Sequence, residues 1–202
     1  MPVFIKRTAA SILGGASARR LRTRIVSQAE GVVVEFNFGS GQNLRHYDRA
    51  RVSKLYAVNP PAGFADPVCD QVDGAGLEIE RIPVSAEALP LVDGIADTVV
   101  VTYGFSTIPD AEAAMAEARR VLRPGGRLLL VEHGRAPSRW IARLQDRLNP
   151  LWRSFAGGDN LNRDITGMLQ RVGFDTSRVE QVYLRGMPRV LGAHHLGVAR
   201  PL

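Results

Sequence analysis

The stretch Val32-Val33-Val34-Glu35-Phe36-Asn37-Phe38-Gly39-Ser40-Gly41-Gln42-Asn43-Leu44 decides how the chain is read. Val32 to Glu35 read as a buried strand, and Phe38-Gly39-Ser40-Gly41 is a turn that only small side chains allow. Such a strand and turn form the outline of a nucleotide-binding first loop, because N–H groups at the start of the following helix attract carboxylate or phosphate. Asn37 stands where loops of this kind carry a glycine. Asparagine is the non-glycine residue that best tolerates a left-handed backbone, so the turn survives the exchange. Counting from Gly39, the third glycine of the dinucleotide pattern G-x-G-x-x-G falls on Leu44, and no P-loop lysine is present. A nicotinamide or flavin dinucleotide is therefore disfavoured.

Outward from this loop, short segments rich in Val, Ile or Leu alternate with helical ones, the pattern of a parallel sheet covered on both faces. Strands are predicted near 31–36, 54–58, 78–84, 97–103 and 126–132, and helical or loop segments near 42–50, 61–73 and 110–122. Pro109-Asp110 starts the last helix and Arg123-Pro124-Gly125-Gly126 ends it. Helices near 137–154 and 161–172 follow, then extended segments near 178–186 and 193–200, joined through Gly186-Met187-Pro188 as an antiparallel hairpin. The expected fold is α/β: a Rossmann-like, doubly wound, mostly parallel sheet of six or seven strands with a C-terminal antiparallel hairpin. In such sheets ligands sit beyond the carboxyl ends of the strands, where strand order reverses.

At 202 residues, 45% hydrophobic and 23% charged, the chain has the size and balance of one soluble domain, with no run of eighteen apolar residues to span a membrane. Its single cysteine, Cys69, has no internal partner, and zinc-ligand spacings are absent, so no metal is expected and a reducing, cytoplasmic setting fits. The net charge of +6 is concentrated at the start, where Lys6, Arg7, Arg19, Arg20, Arg22 and Arg24 all precede the first acidic residue, Glu30. An excess this local argues against nucleic acid as a partner, since phosphate-binding side chains should line the folded body. Residues 1–29 read as a basic amphipathic helix with Ile5, Ala9, Ile12, Leu13 and Ala16 on one face. Three roles remain open for it: a lid over the site, a contact with anionic lipid, or a targeting segment with Ala16-Ser17-Ala18 as its cleavage site. Residues 30–202 then form the main domain.

A ligand with an amino-acid carboxylate at one end and an adenosine at the other suits the first loop, and S-adenosylmethionine has that shape. The segment Glu35-Phe36-Asn37-Phe38-Gly39-Ser40-Gly41-Gln42-Asn43-Leu44 resembles the pattern E-x-G-x-G-x-G-x-N-L. It is followed in order by Ser85-Ala86-Glu87-Ala88-Leu89-Pro90, Asp97-Thr98-Val99-Val100-Val101, Thr107-Ile108-Pro109-Asp110, Arg120-Val121-Leu122-Arg123-Pro124-Gly125-Gly126 and Glu132-His133-Gly134. This ordered set resembles the class I S-adenosylmethionine-dependent methyltransferases. Gln145-Asp146-Arg147-Leu148-Asn149-Pro150-Leu151-Trp152 and Leu161-Asn162-Arg163-Asp164 are similar to a small-methyltransferase branch that includes alkyl-thiol methyltransferases. The resemblance implies that Glu35, Asn37, Phe38, Gly39, Ser40, Gly41 and Asn43 surround the methionine part of S-adenosylmethionine. It implies that Asn59 meets the ribose, that Ala86 and Glu87 flank the adenine, and that Tyr103 floors the transfer site.

Against that family pattern Asn37 replaces glycine and Asn59 replaces the carboxylate after the second strand. Ser106 and Gly157-Gly158-Asp159-Asn160 stand where the branch carries Cys and Gly-Gly-Cys-His. His133, at the end of the fifth strand, is the imidazole best placed to act as a base. His194 and His195 are neighbours on a strand, so they face opposite ways, and His46 is read as helix surface. Trp140, Leu144, Leu148, Leu151 and Trp152 recur at helical spacing, which indicates core or the lining of an apolar acceptor pocket. The expected activity is methyl transfer to a small, apolar acceptor with an O, S or N nucleophile. The alternative is a binding or regulatory protein that kept the fold and lost turnover.

Overall fold

A computed structural model describes residues 15–61, 76–184 and 186–202. Its strands are β1 (Gly31–Phe36), β2 (Val52–Val58), β3 (Ile79–Ile82), β4 (Ala96–Thr102), β5 (Leu122–His133), β6 (Phe174–Tyr183) and β7 (Ala193–Pro201). Helices α1 (Ala16–Val26), α2 (Ala111–Val121), α3 (Arg139–Phe155), α4 (Ile165–Arg171) and the short α5 (Arg189–Gly192) connect or cover them. The sheet order is β3-β2-β1-β4-β5-β7-β6, parallel from β3 through β5 and antiparallel at β7 and β6. Strand order therefore reverses between β1 and β4.

Successive strand residues point to opposite faces, and that alternation sorts the core into two layers. Val34, Phe36, Val99, Val101, Leu128 and Leu130 pack under α2 and α4 through Ala114, Met115, Ala118, Ile165 and Leu169. Val33, Val100, Leu129, Val131 and Leu196 pack under α1 through Ala18, Ile25 and Val26. Glu35 shares the parity of Val33, so its carboxylate is delivered beneath α1 and not into the other layer. Asp110 caps α2 by accepting from the Ala113 N–H at 3.0 Å, and Asp164 caps α4 by accepting from the Gly167 N–H at 3.1 Å.

Several expectations change. The segment 42–50, expected as helix or loop, is a loop holding the 3-10 turn Leu44–His46: Asn43 and Tyr47 at its two ends both bond Glu35, and Asp48 opens a tight turn into β2. Arg123-Pro124-Gly125-Gly126 is absorbed into β5, which starts at Leu122 with a register shift opposite Ala96 and Thr98. The terminal hairpin forms, with β7 seated between β5 and β6. Trp140, Leu144, Leu148 and Leu151 are exposed rather than core: the buried residues of α3 are Ile141, Ala142 and Gln145. The predicted segment 61–73 lies outside the described residues except at its first position, as do Ile5, Ala9, Ile12 and Leu13. Among the described residues no helix is long and apolar enough to cross a membrane.

Candidate active site

At the reversal point, a crevice with a cavity of about 150 Å³ opens between the ends of β1, β2 and β4. It is lined by Asn37, Val58, Asn59, Pro60, Ser85, Ala86, Thr107, Ile108 and Pro109. Three residues singled out in the sequence, Asn37, Asn59 and Ala86, meet here. Asn37 adopts φ 55°, the left-handed value expected of it, and its amide donates to the Tyr103 carbonyl at 3.2 Å and toward the Thr107 hydroxyl at 3.4 Å. Gly39 and Gly41 carry φ 58° and 69°, so the loop runs Asn-x-Gly-x-Gly through three left-handed positions. Asn59 is almost fully buried, and its side-chain amide makes no hydrogen bond among the described residues. Glu87 is displaced from the role the resemblance implied. Its carboxylate turns to the Ser85 hydroxyl at 2.5 Å and the Asp110 N–H at 2.7 Å, bracing the crevice wall from behind.

Glu35 and Tyr103 form a second group beside the crevice, roofed by α1. The Glu35 carboxylate accepts from Asn43 at 2.9 Å and from the Tyr47 hydroxyl at 2.6 Å, and Asn43 also reaches the Thr102 hydroxyl at 2.9 Å. Burial pushes Glu35 up to about 7 against the pull of those donors and of the Arg22 charge. Arg22, buried in α1, places its guanidinium 4.8 Å from the centre of the Tyr103 ring. Phe38 is buried in the same layer. His46 is half-buried against α1, with Nδ1 3.2 Å from the Thr23 hydroxyl, and so belongs to this roof rather than to an open helix surface.

Behind Tyr103 lies a buried polar chamber. Tyr103 stacks toward His133 with ring centres 6.4 Å apart and meets His194 edge-on at 5.6 Å. His133 Nε2 lies 2.9 Å from Asp159 Oδ1, and Trp152 Nε1 donates to the other Asp159 oxygen at 2.9 Å. Burial lowers the His133 pKa, but the hydrogen bond and charge of Asp159, with Glu132, outweigh it and the net shift is upward. Burial takes His194 down to about 4, so it stays neutral at physiological pH. The Tyr103 hydroxyl, His194 Nε2 and one Glu132 oxygen are buried without a hydrogen-bond partner among the described residues. Buried polar atoms are normally paired, with protein or with ordered water. His195 points away, to Thr166 and Gln181.

Residues not singled out by the sequence hold this chamber in place. Glu132 accepts from the Gly104 and Phe105 N–H groups at 2.5 and 2.9 Å, fixing the turn in which Tyr103 takes φ 56°. Arg163 donates to the Phe105, Ile108 and Pro109 carbonyls. Gln145 accepts from Ala136 N–H and donates to the carbonyls of Gly134, Leu161 and Val190. Asn149 accepts from Leu161 N–H, and Asp146 pairs with Arg135 and Asn162. The polar positions of the stretches 145–152 and 161–164 are thus largely scaffolding between α3 and the strand ends. A signal for this was available: Gln145 shares the helical face of Ile141 and Ala142.

Residues 34–130 match the family model described as a methyltransferase domain. Over that span, just under half of its length, the chain is similar to methyltransferase domains. Members of this family with this fold use S-adenosylmethionine. A thiol S-methyltransferase of Homo sapiens is 28% identical over 74% of this chain and 62% of its own length. A ubiquinone/menaquinone biosynthesis C-methyltransferase of Caulobacter vibrioides is 44% identical over 61% of this chain and 52% of its own. The chain thus spans about three-fifths or half of the length of these curated relatives. A solved structure described as a methyltransferase, from Bacillus halodurans, superposes with TM-score 0.70 at 16% identity, covering 92% of this chain and 96% of that one. At that identity the likeness concerns the fold alone.

Of S-adenosylmethionine, the nucleoside half would meet this crevice. The Asn59 amide suits ribose hydroxyls, and Pro60, Ala86 and Ile108 offer apolar walls to a purine. The methionine half would extend along Gly39 to Gly41 toward Tyr103, under α1.

Proposed function

We propose that this chain transfers a methyl group from S-adenosylmethionine to a small, apolar acceptor through an O, S or N nucleophile at Tyr103 and His133. The observation that carries this reading is the juxtaposition of the crevice at the strand-order reversal with the buried polar side chains around Tyr103, the two linked through the bond from Asn37 to the Tyr103 carbonyl. When bound, the cofactor supplies an electrophilic methyl group on a sulfonium, and the acceptor displaces it in line. Most of the acceleration in such a step comes from holding the two partners aligned. Asn59, Pro60 and Ala86 hold the nucleoside end. Neutral His194 borders the cationic centre without adding charge. The Tyr103 hydroxyl and His194 Nε2, unpaired in the chamber, orient the nucleophile. His133, steadied by Asp159, takes its proton when the acceptor is a hydroxyl or thiol.

A second reading draws on Glu35, which is already committed to Asn43 and Tyr47, and on the neutral Asn59: a protein that binds the nucleoside and does not turn over. Calorimetric titration with S-adenosylmethionine and S-adenosylhomocysteine, followed by mass detection of methylated product over a panel of apolar thiols, phenols and amines, separates the two. Micromolar binding with product supports the enzyme, binding without product supports the second reading, and no binding at millimolar concentration removes both.

A further inference from the structure

Helix α3 turns an apolar stripe outward. Trp140, Leu144, Leu148, Leu151 and Phe155 are 63, 37, 37, 57 and 47% exposed. At 3.6 residues per turn these five positions fall within an arc of about 80° on the helix. Arg139, Arg143 and Arg147, four residues apart, run along one edge of that arc, exposed and in no ion pair among the described residues. Along the other edge the stripe continues into an apolar groove of about 260 Å³ closed by Leu161, Pro188 and Val190. The one acid of α3, Asp146, faces away and is held by Arg135 and Asn162. An exposed apolar face of this size is unusual for a monomer surface and marks an interaction site.

We infer that this face of α3 docks on an anionic lipid surface. An apolar arc flanked by arginines is the pattern of a helix lying in a membrane interface, its apolar side among acyl chains and its cations at the headgroups. Charge decides among the other occupants. The segment 1–14 carries Lys6 and Arg7 and no acid, so it has nothing to offer the arginine row. A second copy paired antiparallel about a two-fold axis across α3 would bring two such rows together. A surface of anionic headgroups neutralises the row, at about 1 kcal/mol per charge near the surface. The inference is independent of catalysis, since it places no cofactor or acceptor on this face.

The test is co-sedimentation of the full chain with vesicles of phosphatidylcholine alone and of equimolar phosphatidylcholine and phosphatidylglycerol, at low and high salt. Binding is expected to the anionic vesicles only, weakened by salt, with a blue shift of tryptophan emission that Trp140→Phe removes. Arg143→Glu with Arg147→Glu, or Trp140→Ser with Leu144→Ser, should each lower the partition coefficient about tenfold or more. Circular dichroism and urea midpoints check that these surface variants stay folded. The inference is overturned if wild type ignores anionic vesicles, or if both double variants bind as tightly as wild type. It is also overturned if deleting residues 1–14 abolishes binding that the double variants leave intact. Light scattering adds one more such outcome: a dimer that Trp140→Ser with Leu144→Ser dissolves makes the face a contact between copies.

Discussion

The Asn37 amide donates to the Tyr103 carbonyl at 3.2 Å, and these are the two non-glycine residues at positive φ among the described residues, at 55° and 56°. The bond locks the turn after β1 to the turn after β4 across the crevice. Each left-handed residue costs on the order of 1 kcal/mol or more, and such strain persists only where the surroundings fix it. Here Glu132 holds the Gly104 and Phe105 amides, and Gly104 itself has no room for a side chain: a Cβ would lie 2.8 Å from Val101 Cγ1 and 3.1 Å from Asn37 Cβ.

Two substitutions restore what the family pattern carries around this crevice. Asn37→Gly keeps the left-handed turn and removes the amide that lines the crevice. Asn59→Glu introduces a carboxylate that accepts from ribose hydroxyls with charge assistance, about 1.5–3 kcal/mol per bond against about 0.5–1.5 for a neutral acceptor. The double variant should bind S-adenosylhomocysteine about tenfold more tightly by calorimetry. Unchanged affinity would mean that the nucleoside lies elsewhere.

Glu35 makes stability depend on pH in a stated direction. Its folded pKa of about 7 exceeds the ordinary value of 4.5, so between those values the folded state holds the proton that the unfolded state has released. Stability associated with this group is greatest below pH 4.5, declines as pH rises toward 7, and levels off above it. Glu35→Gln mimics the protonated carboxyl: its carbonyl takes the Asn43 bond and its amide donates to the rotatable Tyr47 hydroxyl. Urea unfolding should show the variant level with wild type near pH 4.5 and more stable by up to about 3 kcal/mol near pH 8. An equal or lower stability at pH 8 would show that the fold does not raise the Glu35 pKa above its ordinary value.

His133 and Asp159 titrate as a pair. With His133 raised above 6.5 and Asp159 lowered below 3.8, the pair contributes stability that is full between those two values, fades as pH climbs through the folded His133 value, and fades again as pH falls through the folded Asp159 value. Asp159→Asn keeps a bond to Trp152 while removing the charge, leaving burial to dominate, so the His133 pKa should drop below 6.5. Proton resonances of the imidazole ring followed against pH read this directly, and a His133 that titrates identically in both proteins would dissolve the pair.

The central fold was legible because it rests on local signals: Val32–Phe36, Asp97–Val101 and Leu128–Val131 are strands under any tertiary context, and Asp110 with its following alanines starts a helix. What failed or stayed open was decided at long range. The stretch 42–50 reads as helix or loop, and Asn43 and Tyr47 are both claimed by a carboxylate on β1, an interaction with no sequence periodicity. Trp140, Leu144 and Leu148 have the spacing of a core face, but spacing alone cannot tell which side of an amphipathic helix meets the protein. Burial of Gln145 opposite that stripe reversed the orientation. The site was half legible for the same reason. Asn37, Asn59 and Ala86 follow strand ends and so converge, whereas Glu87 was diverted by an unpaired N–H at Asp110.

Gln145 provides the sharpest test of the scaffold. Almost fully buried, it uses its carbonyl on Ala136 N–H and its amide on three carbonyls, from the end of β5, the segment before α4, and α5, each at 3.0 Å. An amide is the one side chain that can accept and donate in this arrangement. Gln145→Leu fills similar volume but orphans one N–H and strips three carbonyls of this donor, each buried loss costing about 1–3 kcal/mol where no other partner remains. Gln145→Glu keeps the acceptor, loses every donor and adds a buried charge. The expected order of urea midpoints is wild type above Gln145→Leu above Gln145→Glu at pH 8, with the gap between the two variants closing at pH 5 as the glutamate takes up a proton. Because α3 carries Trp152, which steadies Asp159 and through it His133, both variants should also lower the His133 pKa toward its ordinary value in the imidazole titration. Midpoints within about 0.5 kcal/mol of wild type would mean that α3 is held by its apolar contacts alone and that the hydrogen-bond hub is incidental.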